Sequence, residues 1–400
     1  MTKEERARLS GWPHLPDRSR DRRHILPSVI LGCSTRGSTS ATVHLESAPM
    51  TVSPFDHPYL SGLLGDEEVA ALFSAAAEIE AMLAFEVALA KAEVAEGIIP
   101  AAAARAIEST VRRFSPDIAS LRKATARDGV VVPDLVRQLR AAVGEPHGRH
   151  VHFGATSQDV IDTGLMLRLA RALPILEDRL NGLIGYLVGL SVRFDGRQVM
   201  GHTRMQPAIP IAVAGRLRSW WVPLERHVER LQDLTLEGLP VQFGGAAGTL
   251  EKLAGKGREV RATLAAELDL ADTPQWQSQR GDLLELAGLL AAITGSLGKA
   301  GGDIALMADR GGEIALAGGG GSSAMPHKQN PVAAEMLVTL ARFNAVQLGG
   351  MAQAMVHEQE RSGAAWTLEW MILPQMVVAC GASLRLADEL FSSIEEFGTG

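Results

Sequence analysis

The chain has 400 residues, 46% of them apolar and only 4% aromatic, with a formal charge of −7. That is enough apolar material for a large buried core in two or three structural units, which excludes global disorder. A pI near 5.9 leaves no basic field to hold a polyanion, so nucleic-acid binding by the whole protein is excluded, although local basic clusters could hold a small anionic substrate.

Cys33 and Cys380 sit far apart, with no CxxC and no Cys/His ligand spacing, so neither a disulfide framework nor a structural metal is indicated. No uncharged apolar run reaches the ~18 to 20 residues needed to cross a bilayer, so no membrane partner is expected. The stretch 25–33 is too short for a secretory signal and is interrupted by Pro27 and Ser28. A cytoplasmic location is the default expectation.

Residues 1–50 are rich in Arg, Ser, Thr and Pro without helical periodicity, and are expected to be a disordered extension, with Met50 opening a segment like a natural protein start. A transit-like arm fits the Arg and Ser content, but Glu4, Glu5, Asp17 and Asp21 argue against it. Residues 51–161 read as an N-terminal helical domain. Asp66 can cap a long first helix ending near Gly97, and shorter helices are expected over about 101–114 and 133–143. Residues 162–400 read as a central helical bundle of five long, nearly breaker-free segments at about 163–194, 210–236, 281–316, 332–356 and 367–395. The fold class is all-α. Segment 281–316 is apolar around much of its circumference, which predicts burial against other subunits.

Three polar stretches interrupt this regularity. In residues 150–159, Thr156, Ser157 and the amides that follow could cradle a carboxylate, with His152 close by; a helix cap built on Asp159 is the simpler alternative. In residues 201–208, Thr203, Arg204 and Gln206 suit a planar anion, which Arg can hold through two parallel hydrogen bonds. In residues 318–331, four consecutive glycines precede Ser322 and Ser323, which predicts a mobile lid. A serine there needs backbone amides and a cation such as Lys328 to act as base or acid.

The third stretch, GSSAMPHKQNP, resembles the signature of the fumarase/aspartase superfamily, and VHFGATSQDVIDTG and GHTRMQPAIP resemble its other two shared regions, in the same order. The likeness covers about residues 51–395. It implies a homotetramer with a twenty-helix core, no cofactor, and active sites built from three subunits. It also implies that Ser322 is the catalytic serine, that Lys328 and Asn330 bind a substrate carboxylate, and that Thr156 and Ser157 bind substrate. Ser323, Met325 and His327 join the candidate binding set by their place in the loop. Within the superfamily the chain is most similar to the branch of cycloisomerases acting on carboxylated muconates in protocatechuate breakdown. The usual C-terminal domain is expected to be absent.

Two positions depart from the lyase pattern. Arg204 stands where many members have a catalytic histidine, with His202 on the other side of Thr203, and Arg127 stands where a second histidine is found. Amine or hydroxide leaving groups need a general acid, whereas a carboxylate, with a pKa near 4, leaves unaided. Lactone formation reverses such a departure. Arginines therefore suit a tricarboxylate substrate, with Ser322, Lys328 and Arg204 as catalytic groups. The alternatives are a sulfomuconate cycloisomerase, a lyase releasing fumarate from adenylosuccinate or argininosuccinate, and an inactive structural bundle.

Overall fold

The computed structural model describes residues 52–321, 325 and 329–399. The expected N-terminal extension, Cys33, and Ser322, Ser323, His327 and Lys328 lie outside the described residues.

The N-terminal part is built from α1 (Ser61–Leu64), α2 (Glu67–Ala71), α3 (Ala75–Ala95), α4 (Ala101–Val111), α5 (Ile118–Asp128) and α6 (Val132–Val143). The long first helix expected from Asp66 is in fact two. Asp66 caps α2 by accepting from the Val69 amide at 3.0 Å, and Ser74 caps α3 by accepting from Ala77 at 3.3 Å. A serine that caps competes with helix continuation, so the chain turns at residues 72–74. Helix α5, not anticipated, starts on the Asp117 cap and stops at Gly129 in the left-handed region (φ 75°). Met82, Phe85, Leu89, Ile107, Leu135 and Leu139 form the heart of one apolar cluster, joined by Val241 and Phe243 and by α9 (Gly257–Leu268) packed on α3.

The five long helices are α7 (Ser157–Arg193), α8 (Val213–Glu237), α10 (Gly281–Arg310), α11 (Val332–Gln353) and α12 (Gly363–Ser392). They share a second apolar cluster, and α7 belongs to both, with Val160 and Ile161 in the first and residues from Leu165 onward in the second. On α10 the apolar side chains Leu283, Leu286, Leu289, Leu290, Ile293, Leu297 and Ile304 are already buried within this chain, while Leu284 is half-buried and Leu306 exposed. The covering is therefore intramolecular. Gly298 and Gly301 allow it, because a Cβ there would lie 2.6 Å from Ala341 Cβ and 2.7 Å from the Ala334 carbonyl on α11. Helices α10 and α12 are long and apolar enough to cross a membrane, but 56% and 72% of their most apolar windows are buried in the bundle, as core helices would be.

Two small antiparallel sheets complete the fold: β1 (Gln198–Thr203) with β2 (Gln206–Ala212), and β3 (Ile314–Leu316) with β4 (Ile394–Phe397). Residues 201–208, expected as a loop before a helix near Pro210, form a hairpin, and α8 begins only at Val213. Arg204 and Met205 make its two-residue turn, both in the left-handed region (φ 47° and 65°). The segment expected as helix to residue 316 ends at Arg310, where Gly311 and Gly312 take positive φ and strand β3 follows.

Candidate active site

The first predicted cluster sits at the N-terminus of α7, with Thr156 as its N-cap. Its open end carries the partial positive charge of the first-turn amides, which favours an anion. Asp159 does more than cap. Its carboxylate accepts from the amides of Thr156, Gly244 and Gly245 at 2.9, 2.9 and 3.0 Å and from Gln242 Nε2 at 3.1 Å, so it ties the 240–249 loop to the helix start. Burial pushes its pKa up to about 6 against the opposing pull of those donors.

One turn on, Asp162 forms a wholly buried ion cluster. Arg280 donates to both Asp162 oxygens (2.6 and 3.1 Å) and both Glu369 oxygens (2.9 and 2.5 Å), and Trp366 Nε1 donates to Asp162 at 2.9 Å. The guanidinium also lies 4.4 Å from the Trp276 ring centroid. His357 Nε2 is 3.6 Å from Glu369; burial, then the nearby Arg280, lowers its pKa, so it is neutral at pH 7. Thr163 adds reciprocal bonds with the Gln242 backbone. The first two turns of α7 are thus held by α12, by residue 280 and by the 240–249 loop, as a preorganised binding surface requires. His152 Nδ1 lies 2.7 Å from Glu86 Oε1 of α3.

The second cluster stands at the hairpin tip, where Thr203, Arg204 and Gln206 are all exposed. Along the first strand of the hairpin, Arg310 donates to His202 Nδ1 at 3.0 Å, and the Met200 amide donates to Glu313 at 2.9 Å. Glu313 directly precedes β3, the stem of the serine loop. The loop closes at Asn330, whose amide and carbonyl pair with those of Gly320 at 2.9 Å. Close contact explains two of the four glycines there, since a Cβ on Gly319 would meet Gln329 at 2.9 Å and one on Gly320 would meet Val332 at 2.5 Å. Met325 is exposed. Arg127, in the last turn of α5, is an exposed residue engaged with Asp128 through two 2.7 Å bonds.

Within one chain these pieces fall at opposite ends. Helix α7 has 37 residues, about 55 Å at 1.5 Å per residue. Thr156 precedes it, and the hairpin follows its far end. The serine-loop stem lies at the hairpin end, where β4 pairs with β3 and the next residues bridge Gln198 to Thr399.

Two neighbours of the α7 terminus escaped the sequence reading. Arg361 donates from Nε to Gln158 at 2.7 Å, bringing a cation beside Thr156 and Ser157. Glu86 is a charged residue on an apolar helix face, the one signal that could have marked it.

The profile of a family described as lyase matches residues 66–346. The chain belongs to that lyase family, part of the fumarase/aspartase superfamily of enzymes. It is 40% identical over 333 residues to the 3-carboxy-cis,cis-muconate cycloisomerase of Pseudomonas aeruginosa, covering 81% of this chain and 72% of the relative. It is 38% identical over 343 residues to the enzyme so named in Bradyrhizobium diazoefficiens, covering 83% and 75%. Among solved structures it superposes on 3-carboxy-cis,cis-muconate lactonizing enzyme from Pseudomonas putida with a TM-score of 0.79 at 35% identity, over 84% of this chain and 77% of that one.

Proposed function

We propose that this chain is a 3-carboxy-cis,cis-muconate cycloisomerase, acting in protocatechuate breakdown without a cofactor. The observation that carries the reading is Arg204, presented at the tip of an exposed hairpin where lyases of the superfamily use a histidine, in a chain whose relatives bear that name. A substrate carboxylate oxygen adds across the carbon–carbon double bond. The C–O bond forms as the π electrons move onto the adjacent carbon and into its carboxylate. Ser322 then protonates that carbon, completing the lactone, and regains its proton from solvent. Carboxylate addition needs no general base, since the nucleophile is already ionised at neutral pH. Arg204 orients the attacking or a neighbouring carboxylate, Thr156, Ser157 and the α7 amides hold another, and Lys328 and Asn330 hold the group that takes up charge. Ser323, Met325, His327, Thr203, Gln206, His152 and Arg127 line this site.

The roughly 55 Å between the α7 terminus and the hairpin supports a site shared between subunits in a cytoplasmic homotetramer, in which one subunit's hairpin meets another's α7 terminus. Apolar side chains exposed on the long helices, including Val192, Val346 and Met371, support such packing.

Purified protein should lower the ultraviolet absorbance of 3-carboxy-cis,cis-muconate without added nucleotide or metal. Ser322→Ala should abolish this while keeping the helical content and oligomer size. Fumarate release from adenylosuccinate or argininosuccinate, with muconate untouched, would overturn the reading.

A further inference from the structure

His152 is held in place more firmly than a surface loop residue needs to be. Its backbone is in the left-handed region (φ 60°), a conformation that costs a non-glycine residue energy and persists only where its surroundings impose it. They do so on both sides. Arg140 of α6 donates from Nε and Nη2 to the Val151 carbonyl at 3.2 and 2.9 Å, and Gly154 (φ 72°) is packed so closely that a Cβ would lie 2.8 Å from Leu253. The result is that the imidazole, 13% exposed, places Nδ1 2.7 Å from the Glu86 carboxylate, itself buried, while Nε2 makes no hydrogen bond among the described residues.

We propose that Glu86 is a positioning residue for the reaction: by accepting from Nδ1–H of His152 it fixes the tautomer of the ring and leaves Nε2 as the atom that meets the substrate. The inference rests on the reading of residues 150–159 as part of the substrate site. With Nδ1–H committed to Glu86, the ring gains or loses a proton only at Nε2, whatever its charge. A histidine so held presents one defined donor or acceptor to a bound carboxylate instead of two interchanging ones.

Glu93 supplies the internal comparison. It lies two helical turns from Glu86 on the same face of α3, is equally buried, and neither of its oxygens has a partner among the described residues. Burial first, and then the nearby Glu86, push its pKa up to about 9, so near neutral pH Glu93 is an uncharged acid. One α3 carboxyl therefore faces an imidazole and its neighbour does not, which separates a positioning role from mere burial of an acid.

The test uses the full-length enzyme with ¹⁵N-labelled histidine, in the wild type and in Glu86→Met, His152→Asn, their double variant, and Glu93→Gln. In the wild type the His152 nitrogen shifts should report a protonated Nδ1; in Glu86→Met the ring should move to the Nε2–H form. Turnover of 3-carboxy-cis,cis-muconate should fall at least about tenfold in Glu86→Met, mainly in kcat. The double variant should be no slower than His152→Asn alone, since Glu86 acts through that ring. Glu93→Gln should keep the wild-type rate. Where methionine disturbs folding, Glu86→Leu, which likewise lacks an acceptor for Nδ1–H, gives the same rate and coupling comparison. Losses from Glu86 and His152 variants that multiply, or a His152 tautomer indifferent to Glu86, would overturn the proposal. An inactive wild type would refute the cycloisomerase reading instead, and the nitrogen shifts would still decide what Glu86 does.

Discussion

Replacing Arg280 by methionine removes the one cation from a cluster in which Asp162 and Glu369 are 1% and 2% exposed. The guanidinium makes four hydrogen bonds to the two carboxylates, so the variant buries two acids with no counter-charge. Breaking a buried ion pair from one side costs about 3–5 kcal/mol, because the remaining charge is stranded. Urea unfolding followed by circular dichroism should show a deficit of that size at pH 8. The pH dependence gives a second check. Burial already raises the Glu369 pKa in the wild type, and losing Arg280, which opposes that rise, lifts it further above its unfolded value. A group with a raised folded pKa binds a proton that the unfolded chain releases, so folding weakens as pH rises through that range. The deficit should therefore shrink between pH 8 and pH 5. A deficit below about 1 kcal/mol, or one independent of pH, would refute the assignment of Arg280 as the counter-charge.

The same linkage applies to Glu93. Its folded pKa of about 9 means that the wild type loses about 1.4 kcal/mol per pH unit between its unfolded value and that point, while Glu93→Gln does not. The variant should be the more stable of the two at pH 8, with the gap closing toward pH 5 in parallel melts. Gly298→Val would drive a side chain into Ala341, where a Cβ already lies at 2.6 Å, and should cost about 1–3 kcal/mol in denaturant titration. Arg204→Lys keeps the charge but loses the two-pronged grip, so steady-state kinetics should show impaired muconate turnover despite a wild-type oligomer.

The five long helices were legible because their apolar spacing runs unbroken for 22 residues or more, and length is what makes periodicity reliable. The shorter features were not. The hairpin at 198–212 hid because its turn is Arg204-Met205, without the Asn-Gly or Gly that usually marks two left-handed residues. Helix α5 is polar over much of its length, though Asp117 and Gly129 marked its ends. The apolar circumference of α10 was read as a contact between subunits because sequence alone does not show that Gly298 and Gly301 bring α11 close enough to cover it. Thr156 and Arg204 were singled out by residue type and motif, and the fold puts them at a helix N-terminus and at a hairpin turn. Asp159 was seen as a cap, yet its bonds to Gly244 and Gly245 join positions 85 and 86 residues away, and Glu86 and Arg361 reach the α7 terminus only through the fold.

The most direct measurement of the central claim is a side-by-side assay of the purified enzyme on 3-carboxy-cis,cis-muconate and its sulfonated analogue, with the product identified by NMR. The account predicts a lactone formed with the higher kcat/KM from the carboxylated substrate. Preference for the sulfonated compound, or no lactone from either by an intact oligomer, would contradict it.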